Sequence, residues 1–209
     1  MEIINSKIVS TGDFKQAEDL DVHPVSNSQE LFDVHRLTHD SYVAKGLITS
    51  RPDGLWAPHP DFDFIPQTTI LVASLGTEVA GSISLTRDGN KGLIADTIFK
   101  KTCSLIRAEN RSMAEIWRLV VKPSFPEKDK VAEILMQAAA QNLIAGDIRT
   151  CLLSIYPEYI ALCERLLEVV VLTGTNSVRG LPSFQTVFMR SDLDGLSKYA
   201  VRKSLANAS

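Results

Sequence analysis

The stretch Met113-Ala-Glu-Ile-Trp-Arg-Leu-Val-Val121 decides the fold of this chain. It is an almost continuous apolar run, which is typical of a central strand buried on both faces of a sheet. The charged residues Glu115 and Arg118 interrupt this run. A buried charge costs several kcal/mol unless it is paired or hydrogen-bonded. The two side chains therefore require a structural or chemical reason to be in the strand.

Glu115 and Arg118 are three residues apart, so a regular strand would point them to opposite faces of the sheet. They can share one site only if a bulge or a divergence of the strands intervenes, and bulges are common beside active sites. Two alternatives involve no site: a surface or edge strand with solvated charges, or an internal ion pair.

The segments around this strand alternate between strand and helix patterns. Strands are predicted over residues 14–20, 68–74, 78–87, 112–121, 150–156, 168–173 and 184–191. Helices are predicted over residues 28–46, 93–108, 126–145 and 157–167. The hairpin in the middle and the βαβ units after it imply an α/β fold (α+β mixed): a mixed, mostly antiparallel sheet with helices on both faces.

Residues 47–67 show no periodicity and contain four prolines, which we interpret as a long segment without regular structure. The segment also carries Trp56, Phe62 and Phe64, which a purely solvated linker would not need. Long loops in compact domains are often functional. We expect a lid over a site, and the alternative is a loop that simply packs down.

The length of 209 residues fits a single domain, with an N-terminal arm at 1–13 and a tail or helix at 193–209. The 22 basic and 25 acidic residues give a net charge of −3, which does not indicate a nucleic-acid binder. No apolar run approaches the roughly 18 residues of a membrane span. Three dispersed cysteines form neither a disulfide framework nor a zinc motif, so we expect a cytoplasmic protein. The pair His35/His39 has no nearby third metal ligand, and we interpret it as a helix surface without a metal.

Four motifs follow one another along the chain: His35-Arg-Leu-Thr-His-Asp-Ser-Tyr-Val43, Asp61-Phe-Asp-Phe64, Gly81-Ser-Ile-Ser-Leu85 and Glu115-Ile-Trp-Arg118. Together with the element order, they resemble the GNAT N-acyltransferase superfamily. Within it, the chain looks most like the long-chain N-acyl amino acid synthases of the N-acyl tyrosine synthase type and the acyl-homoserine-lactone synthases. The resemblance implies a GNAT-like sheet with a splay between its two central strands.

Two positions separate these groups. Lactone synthases typically carry an arginine where this chain has Ser84, and a tryptophan where it has Ile48. Because those positions help to define the lactone-forming site, the resemblance favours the amino acid synthase. The implied reaction moves a long-chain fatty acyl group from a thioester to the α-amine of an amino acid, with tyrosine suggested by the resemblance.

The segment before the helix at 126–145 bears on the acyl donor. GNAT enzymes that use coenzyme A usually have a glycine-rich loop there, whereas residues 122–130 contain two prolines and no glycine. The resemblance therefore implies the 4′-phosphopantetheine thioester of an acyl carrier protein as donor, with no resident cofactor. Carrier proteins are acidic, and a basic rim would attract them: Lys100, Lys101, Lys122, Lys128 and Lys130. The alternative is a set of solvated lysines among Glu127 and Asp129.

The resemblance also implies roles for individual residues. Glu115 is the candidate base, and Arg118 would hold either the acceptor carboxylate or Glu115 itself. Backbone N–H groups from Leu119 to Val121 would stabilise the oxyanion, and Tyr156 would give a proton to the leaving thiol. Further candidate substrate contacts and acyl-slot walls are Tyr42, Trp56, Phe62, Phe64, Ser84 and Trp117, for which core packing is the alternative.

Two other functions remain open at this stage. One is a coenzyme-A-dependent N-acetyltransferase with an eroded phosphate loop. The other is a GNAT-shaped module without catalytic activity that binds acyl carrier protein.

Overall fold

Seven strands form one sheet in the computed structural model, which describes residues 19–109, 111–167, 169–178 and 181–192, with 173–178 and 181–185 described by their backbone alone. The strands are β1 (Asp21–Pro24), β2 (Thr68–Leu75), β3 (Glu78–Arg87), β4 (Met113–Val121), β5 (Thr150–Ile155), β6 (Val170–Val178) and β7 (Leu181–Asp192). Their order across the sheet is β1-β2-β3-β4-β5-β7-β6. All neighbours are antiparallel except β4 and β5, which confirms the predicted mixed sheet.

The helices of the described residues are α1 (Ser28–Ala44), α2 (Pro60–Asp63), α3 (Asp96–Ala108), α4 (Lys128–Ala145) and α5 (Ile160–Leu167). A 3-10 turn at Pro157–Tyr159 precedes α5. The side chain of Asn27 caps α1 by accepting the N–H of Glu30, and the Glu30 carboxylate accepts the N–H of Ser26 in return. This reciprocal pair fixes the start of α1 where the sequence predicts it.

The helices cover both faces of the sheet. Helices α4 and α5 pack on one face through residues such as Leu135 and Leu166, which join a large core cluster with Ile83 and Ile116. Helices α1 and α3 pack on the other face, where Val34 meets Val72 of β2. The alternation of side chains along β2, β3 and β4 supplies both apolar faces, as expected for a central sheet.

Several boundaries differ from the predictions. The first strand of the described residues is Asp21–Pro24, which pairs with Leu71–Ser74 of β2, and residues 19–20 of the predicted strand precede it without belonging to it. Residues 14–18, the arm at 1–13 and the tail at 193–209 lie outside the described residues. The segment 47–67 contains one helical turn, α2, because Pro60 occupies the first turn of a helix, where its missing N–H has no cost. No helix among the described residues is long and apolar enough to cross a membrane.

The two central strands diverge after a short parallel ladder. Residues of β4 and β5 pair from Met113/Thr150 only as far as Ile116/Leu153. Beyond that point β4 continues to Val121, paired with β3 alone. The sheet therefore opens into a gap between the end of β4 and the end of β5.

A close contact of α4 with β3 provides a test of this packing. A Cβ atom added at Gly81 would lie 2.8 Å from the side chains of both Val131 and Leu135. Because both helix residues are fully buried, Gly81→Ala should lower the free energy of unfolding by about 1–3 kcal/mol, measured by urea denaturation. Gly89→Ala is the matched control, because its nearest neighbour is the flexible Gln67 side chain at 3.4 Å. Equal stability of the two variants would contradict the packing described.

Candidate active site

A bulge in β4 brings Glu115 and Arg118 to one face of the sheet. Three residues of β4 cover the distance from Trp117 to Val120, while two residues of β3 cover it from Ser84 to Ser82. Arg118 takes up the extra length with a φ of 50°, which is unusual for a residue with a side chain. The predicted requirement for a bulge or a divergence of the strands is thus met twice, by this bulge and by the gap after Ile116.

Glu115 lies completely buried on the α3 side of the sheet. Its Oε2 accepts the N–H of Ala95 at 2.8 Å, and its Oε1 accepts the hydroxyl of Ser154 at 3.0 Å. Burial raises the pKa of Glu115 to about 7, against the opposing effect of these hydrogen bonds. The surface-strand alternative is wrong, because all nine residues of β4 are buried. A carboxyl group with this pKa is suited to exchange a proton near neutral pH.

Arg118 is held by Asp63 and Ser84 and makes no hydrogen bond to Glu115. Its Nη1 lies 2.8 Å from Asp63 Oδ1 and 3.0 Å from Oδ2, and both side chains are fully buried. Its Nε and Nη2 donate to Ser84 Oγ at 3.0 and 2.8 Å. The internal ion pair considered from the sequence therefore exists, but Asp63 and not Glu115 is the partner.

Asp63 is a site residue that the sequence analysis did not single out, although it belongs to the Asp61–Phe64 motif. It ends α2, and His35 Nε2 of α1 lies 2.9 Å from its Oδ2. The backbone N–H of Trp56 also donates to the backbone carbonyl of His35 at 3.1 Å. These contacts pack the segment 47–67 onto α1 and β4. The structure therefore favours the loop that packs down over the predicted lid.

A cavity of about 500 Å³ lies beside Glu115 where β4 and β5 separate. Its lining includes seven of the predicted site residues: Tyr42, Trp56, Glu115, Trp117, Arg118, Leu119 and Tyr156. The remaining lining is largely apolar and includes Ile94 and Ile98 at the start of α3 and Ile155 of β5. The structure thus assembles most of the predicted site around one apolar space with a buried carboxyl group.

Phe62 and Phe64 do not line this cavity, which corrects the prediction that they wall an acyl slot. Phe64 is 74% exposed, and the ring of Phe62 is covered by Lys91 at 5.2 Å. Successive residues of a helix point about 100° apart. Because α2 turns Asp63 towards Arg118, the phenylalanines on either side of it point elsewhere.

His59 is another lining residue that the sequence analysis missed. Its ring meets Trp117 edge to face with centres 5.6 Å apart. Burial, together with the charge of Arg118, lowers the pKa of His59, so the ring is neutral at pH 7. Trp117 itself is fixed by a hydrogen bond from its Nε1 to Thr86 Oγ1 at 3.0 Å. These contacts fix the orientation of the Trp117 ring in the cavity wall.

A second cavity, of about 670 Å³, adjoins the first and shares Tyr159 with it. It is lined by the end of α1, the end of β4, the start of α4 and the 3-10 turn before α5. Lys45, another residue that the sequence analysis missed, lines it and bonds to Glu158. Val121, predicted in the oxyanion region, belongs to this second cavity. The gap between β4 and β5 thus has open space on both sides.

The predicted basic rim does not form one continuous patch. Lys128 lines the second cavity, whereas Lys122 is paired with Glu78, and Lys130 lies 3.9 Å from Glu127. Lys100 and Lys101 are exposed on α3 and line neither cavity.

The predicted helix surface at His35 and His39 is corrected as well. His39 is buried, with Nδ1 2.8 Å from Asp40 and Nε2 accepting the N–H of Arg51 at 3.0 Å. His35 lies against Asp63, as described above. Across the part of the chain that the structure describes, no group of three or more His, Cys, Asp or Glu side chains is arranged to hold a metal ion.

The diverging β4 and β5, with a buried carboxyl group beside the gap, are those of a GNAT-type N-acyltransferase. The family model of the N-acyl amino acid synthase FeeM matches residues 33–192. The chain belongs to this family and is an N-acyltransferase. No curated protein matches it by sequence.

Solved structures share the fold of this chain. The N-acyl amino acid synthase FeeM from uncultured soil microbes is 17% identical, with a TM-score of 0.74 over 89% of this chain and 97% of its own. The coenzyme-A-dependent acyl-homoserine lactone synthase BjaI is 19% identical, with a TM-score of 0.64 over 88% and 89%. ElaA of Escherichia coli is 10% identical, with a TM-score of 0.60 over 83% and 99%. At these identities the likeness shows the fold alone.

The buried ion pair gives a stability prediction. Asp63→Ala should lower the free energy of unfolding by about 3–5 kcal/mol, because it leaves the Arg118 guanidinium buried without its counter-charge. Asp61→Ala, at the exposed neighbouring position of α2, should change it by less than about 0.5 kcal/mol. Denaturant unfolding of both variants measures the difference. A loss below about 1 kcal/mol in Asp63→Ala would show that the pair does not hold the segment down.

The raised pKa of Glu115 gives a pH prediction. The folded value of about 7 exceeds the ordinary 4.5, so the stability from this group is fully present below pH 4.5 and is lost as the pH rises through 7. Relative to Glu115→Gln, the wild type should therefore lose roughly 2 kcal/mol of unfolding free energy between pH 5 and pH 8. The exposed Glu164→Gln variant is the control. A wild-type to Glu115→Gln difference that does not change with pH would contradict the raised pKa.

Proposed function

We propose that the chain transfers a long-chain fatty acyl group from the phosphopantetheine thioester of an acyl carrier protein to the α-amine of an amino acid. The observation that carries this proposal is the buried Glu115, with a pKa of about 7, beside an apolar cavity where β4 and β5 part. The family membership supplies the reaction class.

In the proposed reaction, Glu115 takes a proton from the ammonium form of the acceptor, directly or through one water. The free amine then attacks the thioester carbonyl, so that a C–N bond forms and the C–S bond breaks. As the thiolate leaves, the acylated nitrogen loses its second proton and the sulfur gains one. Tyr156 is the proposed relay, giving its proton to the sulfur and recovering one from the nitrogen; burial raises the pKa of its hydroxyl, so it is protonated before the step. A positioned base of this kind contributes about 10²–10⁴-fold to the rate.

Backbone N–H groups from Leu119 to Val121 are the proposed oxyanion donors. This part of β4 runs past the end of its pairing with β5, so backbone groups on its open edge face the gap. Arg118 lines the same cavity and is the proposed contact for the acceptor carboxylate, through the N–H groups that Asp63 and Ser84 leave open. Ser84 then acts on the substrate through Arg118.

The acyl chain is proposed to lie in the 500 Å³ cavity. Each buried methylene group contributes about 0.8 kcal/mol, so a dry slot favours long chains up to its end. Trp117, Leu119 and Ile98 provide apolar surface for such a chain. Tyrosine as the acceptor remains part of the proposal on the strength of the family resemblance.

The start of α4 favours a carrier protein over coenzyme A as the donor. Glu127 stands at the N-cap of α4 without a side-chain capping bond, and Asp129 lies in its first turn. Their negative charges repel the diphosphate of coenzyme A. Pro123 and Pro126, which precede them, also lack the backbone N–H groups that could bind it. A carrier-protein arm has a single phosphodiester and loses less from this arrangement. Lys128, the rim lysine that lines the second cavity, is the proposed contact for the acidic carrier protein.

Coenzyme A is the second candidate donor, because one observation favours it. Lys45, Lys128 and Arg165 line the 670 Å³ cavity together with Asp129 and Glu158, so three cationic side chains are at hand there for a phosphate. The structurally similar lactone synthase BjaI is coenzyme-A-dependent, so the fold is compatible with coenzyme A as donor.

The test compares both donors with the purified protein. Palmitoyl carrier protein and palmitoyl coenzyme A are each supplied with single amino acids, and the products are identified by mass spectrometry. We expect N-palmitoyl amino acid from the carrier protein at a higher kcat/KM than from coenzyme A. Glu115→Gln should reduce it at least about tenfold, because the base is lost. Glu164→Gln is the matched control and should retain wild-type activity.

The other outcomes identify the alternatives. A higher kcat/KM with coenzyme A overturns the carrier assignment and leaves the acyltransferase reaction in place. Acetyl transfer to small amines, without long-chain product, supports the N-acetyltransferase. Carrier-protein binding without any product supports the module without catalytic activity. Full activity of Glu115→Gln removes Glu115 from the mechanism.

A further inference from the structure

Three charged residues form a compact cluster beside β4: Asp88, Asp96 and Arg107. We call this cluster the Arg107 clamp. Arg107 grips Asp88 with its Nε and Nη2 at 2.6 and 2.9 Å, and Asp96 with its Nη1 and Nη2 at 2.6 and 2.5 Å. Each carboxylate is thus bound by two N–H groups, the strongest geometry for such a pair. All three side chains are no more than one-third exposed.

The clamp folds back the first turn of α3. Asp96 and Arg107 are eleven residues apart, which corresponds to a rise of about 16 Å in a straight helix and exceeds the reach of the two side chains. Phe99 interrupts the helix with φ −115° and ψ 34°. The turn before Phe99 therefore bends towards the end of α3, and Arg107 holds it there.

This folded turn carries the backbone donor to Glu115. Asp96 Oδ2, held by Arg107, also accepts the N–H of Leu93 at 2.8 Å. Ala95 lies between these two residues, and its N–H donates to Glu115 Oε2 at 2.8 Å. Hydrogen bonds thus link Arg107 to Asp96 and Asp96 to the backbone of Leu93, and the same turn at 93–96 donates the Ala95 N–H to the buried carboxyl group.

We propose that Arg107 is a positioning residue of the acyl-transfer reaction, which sets the proton affinity of Glu115 by holding the Ala95 N–H against it. The inference rests on the proposed function only where it concerns the rate, because the link from Arg107 to Glu115 stands on geometry alone. Arg107 is outside both cavities and does not touch a substrate bound in them.

The groups that face Glu115 determine the direction of the effect. Asp96 and Cys103 face it from α3 and Cys151 from β5, while Arg118 and His59 line the same cavity. Burial raises the pKa of Cys103 to about 12 and raises that of Cys151 as well, so both thiols are neutral. Asp96 is therefore the negative charge nearest the base on α3.

Removing Arg107 should raise the pKa of Glu115 for two reasons. The negative charge of Asp96 loses its partner, and the Ala95 N–H is no longer held in place. Both changes disfavour the ionised carboxyl group. We expect Arg107→Gln to raise the pKa of Glu115 by about one unit, the size of shift that a nearby charge gives.

The experiment measures that pKa in the full chain without using catalysis. The protein is labelled with ¹³C at the glutamate side-chain carboxyl carbon, and the Glu115 signal is assigned by its loss in Glu115→Gln. The signal is then titrated in the wild type and in Arg107→Gln. In parallel, the ascending limb of the profile of kcat/KM against pH should shift to higher pH by the same amount. Arg107→Gln should therefore recover activity at high pH.

Arg190→Gln is the matched control. Arg190 binds Glu109, the C-cap residue of α3, with two N–H groups at 2.8 and 2.6 Å, and its other ion-pair partner is Asp192 on β7. Its loss should lower the melting temperature about as much as the loss of Arg107, while the titration of Glu115 stays unchanged. Arg107→Lys keeps the charge but loses the paired N–H bonds to each carboxylate, so it should give an intermediate shift in the pKa of Glu115. This variant replaces Arg107→Gln in the experiment if Arg107→Gln does not fold.

The outcomes separate this proposal from the proposed function. An unchanged Glu115 titration in the Arg107 variants overturns the clamp, and so does an equal shift in Arg190→Gln. A shifted titration with an unmoved pH–rate profile supports the clamp and removes Glu115 as the base.

Discussion

The left-handed backbone of Arg118 is the constraint on which the site depends. In a regular β4 the charges at 115 and 118 would face opposite layers of helices, and one of them would enter the core around α4. The bulge directs both to the α1 and α3 side, where Asp63 neutralises Arg118 and the turn before α3 binds Glu115. A positive φ at a residue with a side chain costs about 1–2 kcal/mol, and such a conformation persists only where surrounding contacts hold it. Here the buried Asp63–Arg118 ion pair holds Arg118 in this conformation.

The sequence predicts the sheet well because its signals are local. The apolar run of β4, the hairpin of β2 and β3, and the 3.6-residue pattern of α4 each depend on neighbours in the chain. Glu115 is recognisable for the same reason, as a charge within an apolar strand. The bulge itself has no local signal, since no glycine marks the left-handed position. It could be inferred only as the condition under which 115 and 118 share a face.

The partners of these charges were not predictable, because they come from distant segments. Asp63 is 55 residues from Arg118 and belongs to a segment without periodicity. The aromatic residues on either side of it were the stronger sequence signal, yet they point away from the cavity. Lys45 likewise reaches Glu158 across 113 residues. Single-sequence patterns identify which groups are unusual, whereas tertiary packing decides which of them meet.

In the proposed reaction, separate elements of this fold carry out the proton transfer and bind the donor's head group. The buried carboxyl of Glu115, the proposed base, lies on β4 before the bulge, while residues 122–127, the proposed contact for the phosphate end of the donor, form the connection to α4. Exposed connections tolerate insertion and replacement far better than buried strands do. Such a scaffold can change the carrier of its acyl group through drift in one short loop, without disturbing the reaction centre. Related enzymes could thus diverge in the metabolic pool that they draw on and still share one mechanism.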